Sequence, residues 1–115
     1  MSRVLLVDDD ADAASLRKLI LENDGHQVAI ASSAARAREQ FLAELPDSVI
    51  LDLRLPDAND GLALIREFRD ASLKLIIVVL SGCCTDLDGR VEASMVDLAL
   101  TKPVRSEVLL RAVRV

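Results

Sequence analysis

The sequence predicts an α/β fold built on one parallel sheet. Short apolar runs alternate with amphipathic stretches along all 115 residues, and that alternation places helices between parallel strands. The run 75–80 is apolar at every position, as a strand covered on both faces should be. A third observation locates function. Four of the runs end in polar groups: Asp8-Asp9-Asp10, Asp52, Ser81 and Thr101-Lys102-Pro103. Open α/β sheets bind ligands outside the carboxyl ends of their strands.

Taken in order, Arg3–Val7 is a short leucine and valine run that reads as the first strand. Residues 12–23 follow with Ala13, Leu16, Leu19 and Ile20 at helical spacing, and Asp24-Gly25 stops that helix. Gln27–Ala31 reads as the second strand. Ser32-Ser33 offers an N-cap, and Ala34, Ala37, Phe41, Leu42 and Leu45 form the next apolar stripe until Pro46-Asp47 breaks it. Residues 48–51 are the third strand, ending at Asp52. Residues 53–60 read as a loop around Pro56 and Asn59-Asp60-Gly61. Leu62, Ile65 and Phe68 mark a third helix.

Residues 75–80 are the fourth strand, and 82–88 a loop. Residues 89–95 form a weak fourth helix, weakened by Gly89. Leu98–Thr101 is the fifth strand. Residues 105–113 are a short last helix with Val108, Leu109 and Ala112 inward. Five βα units with right-handed crossovers fit a flavodoxin-like three-layer sandwich with strand order 2-1-3-4-5.

Composition bounds the function. A chain of 115 residues is read as one domain with a single core. Its only aromatics are Phe41 and Phe68, so the core is aliphatic. The net charge of −5 argues against direct nucleic-acid binding by this domain. Cys83 and Cys84 are adjacent, which suits neither a disulfide framework nor a CxxC site, and a reducing cytoplasmic setting is expected. Small half-buried thiols are the default reading for them. No signal-peptide pattern and no membrane-length apolar run is present.

The strand-end acids, hydroxyl and lysine can hold a hard cation beside a phosphoryl group. Acids at strand ends also serve as helix N-caps or solvate loops, and Asp10 and Asp12 are read that way. His26, at the turn before the second strand, reads as a surface residue and not as a phospho-relay histidine.

The chain resembles a response-regulator receiver domain of bacterial two-component signalling. The likeness covers essentially the whole chain. It rests on Val4-Leu5-Leu6-Val7-Asp8-Asp9-Asp10, Asp52-Leu53-Arg54-Leu55-Pro56, Asp60-Gly61-Leu62, Ser81-Gly82 and Thr101-Lys102-Pro103. Each segment is weak alone; in this order, at the ends of strands 1, 3, 4 and 5, they are specific.

The resemblance implies a role for each residue. Asp52 would accept the phosphoryl group. Asp8 and Asp9, with Asp52 and the backbone carbonyl of Arg54, would hold Mg²⁺, which favours a few carboxylates and phosphate oxygens. Lys102 would pair with a phosphoryl oxygen, and Ser81 would donate its hydroxyl to another. A cis Lys102–Pro103 peptide is implied as well. The implied partners are a sensor histidine kinase or phosphotransfer protein, or a small phosphodonor such as acetyl phosphate. Residues 1–115 would be the receiver, with any output domain beyond them or a downstream protein engaged through the face of the fourth helix, fifth strand and last helix. Self-catalysed phosphorylation and dephosphorylation are expected, without turnover as an enzyme.

The sequence departs from the family at three places. Ala99 stands where the family places its switch aromatic. The loop 56–61 is one residue longer than usual. The stretch 81–102 is one residue shorter, with Met95-Val96 in place of the usual Gly-Ala, and Val104 replaces the aromatic that often follows Lys-Pro. Ala99 has no ring to rotate, which motivates a second reading: a protein-interaction module that works without phosphorylation. A small phosphatase fits poorly, because no Gly-rich phosphate cradle is present and no second carboxylate follows Asp52 at Leu53 or Arg54.

Overall fold

The computed structural model describes residues 3–53, 58–82, 91–102 and 104–113. Five strands run parallel: β1 (Arg3–Val7), β2 (Gln27–Ala31), β3 (Ser48–Asp52), β4 (Ile76–Ser81) and β5 (Leu98–Thr101). Their order is β2-β1-β3-β4-β5, as expected from right-handed crossovers. The helices are α1 (Ala11–Asn23), α2 (Ala34–Glu44), α3 (Ala58–Ala71) and α4 (Ser106–Ala112).

Side chains alternate across the pleat and split the core into two layers. Leu5, Val7, Val49, Leu51, Ile77 and Val79 pack with Phe41 of α2 and with Ile65 and Phe68 of α3. Val4, Leu6, Ile50, Val78 and Leu80 face the other way, onto Ala14 and Leu21 of α1 and Leu109 of α4. Each such aliphatic side chain contributes about 1.5–3 kcal/mol on burial. Phe41 and Phe68 stack with ring centroids 4.4 Å apart, tying α2 to α3.

Several helical expectations need correction. On α1 the inward stripe is Ala14 and Leu21, while Leu16 and Leu19 are 61% and 66% exposed. Apolar residues lie on more than one side of this helix, so their spacing alone does not fix which side packs. On α2, Ala37 and Phe41 are buried but Leu42 and Leu45 are exposed. Leu45 is the C-cap with a left-handed φ of 46°, which turns it off the helical stripe just before Pro46. Helix α3 begins at Ala58, inside the stretch expected as loop. Within the stretch expected as a weak helix, 89–95, the described residues form a 3-10 turn at Val91–Ser94; residues 83–90 lie outside the described residues. His26 is buried rather than on the surface, with Nε2 3.5 Å from Asp24 Oδ2. The tight turn through Gly25, at φ +95°, folds it back under the end of α1. Among the described residues no helix is long and apolar enough to cross a membrane.

One polar cluster fastens the far end of the sheet. Arg69, at the end of α3, donates to the carbonyls of Met95 and Leu75 at 2.8 Å each. It also meets Asp97 Oδ2 at 2.8 Å, and the same oxygen accepts the Ile77 N–H at 2.7 Å. Arg69 thereby joins α3, β4 and the chain entering β5. Charge-assisted hydrogen bonds to a shielded group are worth more than neutral ones, so Arg69→Ala is expected to destabilise the domain by about 2–3 kcal/mol. A urea titration that finds an unchanged midpoint would show the cluster to be dispensable.

Candidate functional site

The carboxyl ends of β1 and β3 lie side by side because Val7 pairs with Leu51 in the parallel register. The next residue of each strand is an aspartate, so the register itself brings Asp8 beside Asp52. The Asp8 N–H donates to Ala31 O at 3.0 Å, which holds the β1 end against β2.

The three consecutive acids take different parts. Asp10 is the N-cap of α1, its carboxylate accepting from the N–H groups of Asp12 and Ala13, as its helix-capping reading anticipates. Asp9 is exposed. Asp8 is buried, with Oδ1 accepting the Asp10 N–H at 2.9 Å and Oδ2 accepting from the Arg17 guanidinium at 2.6 Å. Each of Asp8, Asp9 and Asp52 offers a carboxylate oxygen, and these lie within 4.8 Å of one another. Three hard oxygen donors in that space suit a small divalent cation such as Mg²⁺.

Burial pushes the Asp8 carboxyl above the usual carboxylate value, and the nearby Asp52 charge adds to the rise. The Asp10 N–H and the Arg17 and Lys102 cations oppose it without cancelling it. Desolvation therefore outweighs the local counter-ions at Asp8, and its proton is held more firmly than on an exposed aspartate.

Strand β5 delivers the lysine. Ser81 pairs with Thr101 in register, and the following Lys102 N–H donates to Ser81 O at 2.7 Å. The Lys102 Nζ then reaches Asp52 Oδ2 at 2.6 Å. The Asp52 side chain is 11% exposed and that of Lys102 33%, so the ammonium is the counter-ion of a nearly buried carboxylate. Ser81 is buried at the end of β4.

Beside Asp52, the Leu53 N–H donates to Leu80 O at 3.1 Å. A Cβ added to Gly61 would lie 2.0 Å from Leu53 O, so glycine is what lets α3 approach this close.

Of the residues expected at the site, Asp8, Asp9, Asp52 and Lys102 come together, and Ser81 ends the neighbouring strand. Arg54, Pro103, Cys83, Cys84 and the first two positions of the extended loop, 56 and 57, lie outside the described residues. Ala99 is exposed on β5, opposite Val79 in register. Arg17 is the site residue that the sequence reading missed. Its signal is a cation three residues after Ala14 and four before Leu21, both fully buried. A cleft of about 280 Å³ lined by Pro46, Asp47, Ser72, Lys74, Leu75 and Ile76 lies at the opposite ends of the strands, away from these groups.

Comparison with known proteins gives a consistent result. The family described as response regulator receiver domain matches residues 4–114. The virulence transcriptional regulatory protein PhoP of Salmonella typhimurium is 43% identical over 82 residues, which cover 71% of this chain and 36% of that protein. The chain thus spans about a third of the length of the curated relatives it matches. Among solved structures, a receiver domain from Methylobacillus flagellatus is 30% identical, with a TM-score of 0.85 over 99% of each chain. The response regulator TrrA from Thermotoga maritima, in complex with Mg²⁺-BeF, is 26% identical, with a TM-score of 0.87 over 98% of this chain and 96% of that one.

Proposed function

The chain belongs to the response-regulator receiver domain family, and on that premise we propose that it is a signalling switch phosphorylated on Asp52. The observation that carries this assignment is the contact of Lys102 Nζ with Asp52 Oδ2 at 2.6 Å, beside the carboxylates of Asp8 and Asp9. A nearly buried carboxylate with a cation on one side and two further acids on the other is built to meet a phosphoryl group together with a divalent metal.

In the proposed reaction an Asp52 carboxylate oxygen attacks phosphorus as the bond to the donor's leaving group breaks. The product is an acyl phosphate, and the leaving group departs with its electron pair. Asp8, Asp9 and Asp52 would hold Mg²⁺, joined by the Arg54 carbonyl as the family implies. The metal supplies neutralisation of the charge between carboxylate and phosphoryl oxygens. Lys102 leaves its pairing with Asp52 and takes a phosphoryl oxygen, so one ammonium serves both states. Ser81 donates its hydroxyl to another phosphoryl oxygen.

The donor is a sensor histidine kinase, a phosphotransfer protein or a small acyl phosphate. The curated relatives are transcriptional regulatory proteins, and we place this chain as the receiver portion of a cytoplasmic regulator of that kind. No turnover enzyme is implied: the same chain is catalyst and substrate. Family membership and the assembled charges favour this reading over a phosphorylation-independent module. Ala99 indicates a route of output other than rotation of an aromatic ring on β5.

Intact-mass spectrometry after incubation with acetyl phosphate tests the assignment. One phosphoryl adduct is expected with Mg²⁺, none without it, and none in Asp52→Asn. An adduct that survives in Asp52→Asn would move the acceptor elsewhere.

A further inference from the structure

Arg17 places a permanent positive charge inside the acidic site. It sits on the α1 stripe between Ala14 and Leu21, both 0% exposed, where packing against the sheet favours an aliphatic side chain. Its own side chain is 16% exposed, and that of Asp8 is 1%. The guanidinium does not run out to solvent as long basic side chains usually do. It turns to the strand ends and donates from Nη1 to Asp8 Oδ2 at 2.6 Å.

With the Asp10 N–H on Oδ1 at 2.9 Å, both oxygens of Asp8 are held by donors of the chain itself. Asp8 is nonetheless one of the three carboxylates that converge within 4.8 Å. Among the described residues, these three carboxylates meet the cations Arg17 and Lys102. The guanidinium supplies an always-charged group that Asp8 must share with, or release to, any metal ion it binds.

We propose that Arg17 is an internal competitor for the metal site: it stabilises the metal-free carboxylate of Asp8 and thereby lowers the affinity of the site for Mg²⁺. This rests on the reading of Asp8, Asp9 and Asp52 as the metal-binding set. Arg17 is a positioning residue under this proposal, acting on the metal through Asp8. It sets a threshold, so the domain becomes competent for phosphorylation only where Mg²⁺ is plentiful enough to win Asp8 from the guanidinium.

The test is Mg²⁺ titration of the unphosphorylated chain, followed by amide and Arg Nε–H resonances, in the wild type, in Arg17→Met and in a control, Arg36→Met, which removes an exposed charge from α2. Removing a cation a few ångströms from a divalent ion relieves a repulsion that corresponds to about a tenfold gain in affinity. Arg17→Met should therefore bind Mg²⁺ about tenfold more tightly, and the control should stay within about twofold of wild type. In the wild type the Arg17 Nε–H resonance should move as the metal saturates. Equal or weaker affinity in Arg17→Met, with the wild type binding Mg²⁺, would overturn the role of Arg17 and leave the metal site standing. Failure of both proteins to bind would overturn the metal site and this inference with it. Binding by Arg17→Met alone would support the proposal. Should Arg17→Met not fold, the wild-type resonance decides: saturable movement supports competition, and an unmoved signal overturns it.

Discussion

Lys102→Met is expected to slow phosphoryl transfer from acetyl phosphate about a hundredfold or more, because it deletes a charged donor aimed at the reacting oxygens. Lys102 Nζ lies 2.6 Å from Asp52 Oδ2, and methionine keeps much of the apolar stem while removing the charge. The effect belongs to the transition state: negative charge is spread over the phosphoryl oxygens as they meet the Asp52 carboxylate, and Lys102 already touches Asp52. The metal-binding carboxylates are left in place, so Mg²⁺ should still bind. The variant also leaves Asp52, 11% exposed at its side chain, without that counter-ion, and some loss of metal-free stability accompanies the loss of rate. Time courses of adduct formation, read by intact mass at saturating Mg²⁺, give the comparison. A wild-type rate in Lys102→Met would remove this lysine from the transfer step.

The second large effect is on the fold around the acceptor. Gly61→Ala places a methyl carbon 2.0 Å from Leu53 O, 2.7 Å from its carbonyl carbon and 2.9 Å from its Cα. These are backbone atoms, so no side-chain rotation relieves the clash. Either α3 shifts away from the end of β3 or the chain at Leu53 moves. The expected cost is about 3 kcal/mol, at the upper end of what overpacking exacts, in a domain whose whole stability is on the order of 5–15 kcal/mol. Leu53 directly follows Asp52, so adduct formation should slow as well, beyond what the unfolded fraction accounts for. Urea denaturation measures the first effect. A midpoint equal to wild type would mean that the contact between α3 and Leu53 is not required.

The sheet and its polar rim were legible in the sequence because they depend on short-range pattern. Runs such as 75–80 admit no exposed face, and a parallel register follows once helices separate the strands. Asp8, Asp9, Asp52 and Lys102 could be grouped because each stands at the end of such a run, where the register then brings them together. Asp10 could be assigned to capping for the same reason: an acid just ahead of a helix has unpaired N–H groups to accept from.

Helix phase was less legible. Leu16 and Leu19 share one side of α1 and Leu21 lies on another; Leu21 is the one that is buried, and which side packs is a tertiary fact. Leu45 fell off its stripe because the backbone becomes left-handed there. The burial of His26 depends on the turn at Gly25. Arg17 was missed because a basic residue on a helix is ordinarily read as solvated. Its significance appears only when its neighbours at Ala14 and Leu21 are known to be buried and Asp8 is seen to lie within its reach.

Localising the phosphoryl group decides whether Asp52 is the acceptor. An acyl phosphate is reduced by borohydride to an alcohol, so trapping after incubation with acetyl phosphate and Mg²⁺, followed by peptide mapping, marks the acceptor. The reduced side chain is expected at position 52, dependent on Mg²⁺ and absent when phosphodonor is withheld. The mark appearing at Asp8 or Asp9, with position 52 intact, would contradict this assignment.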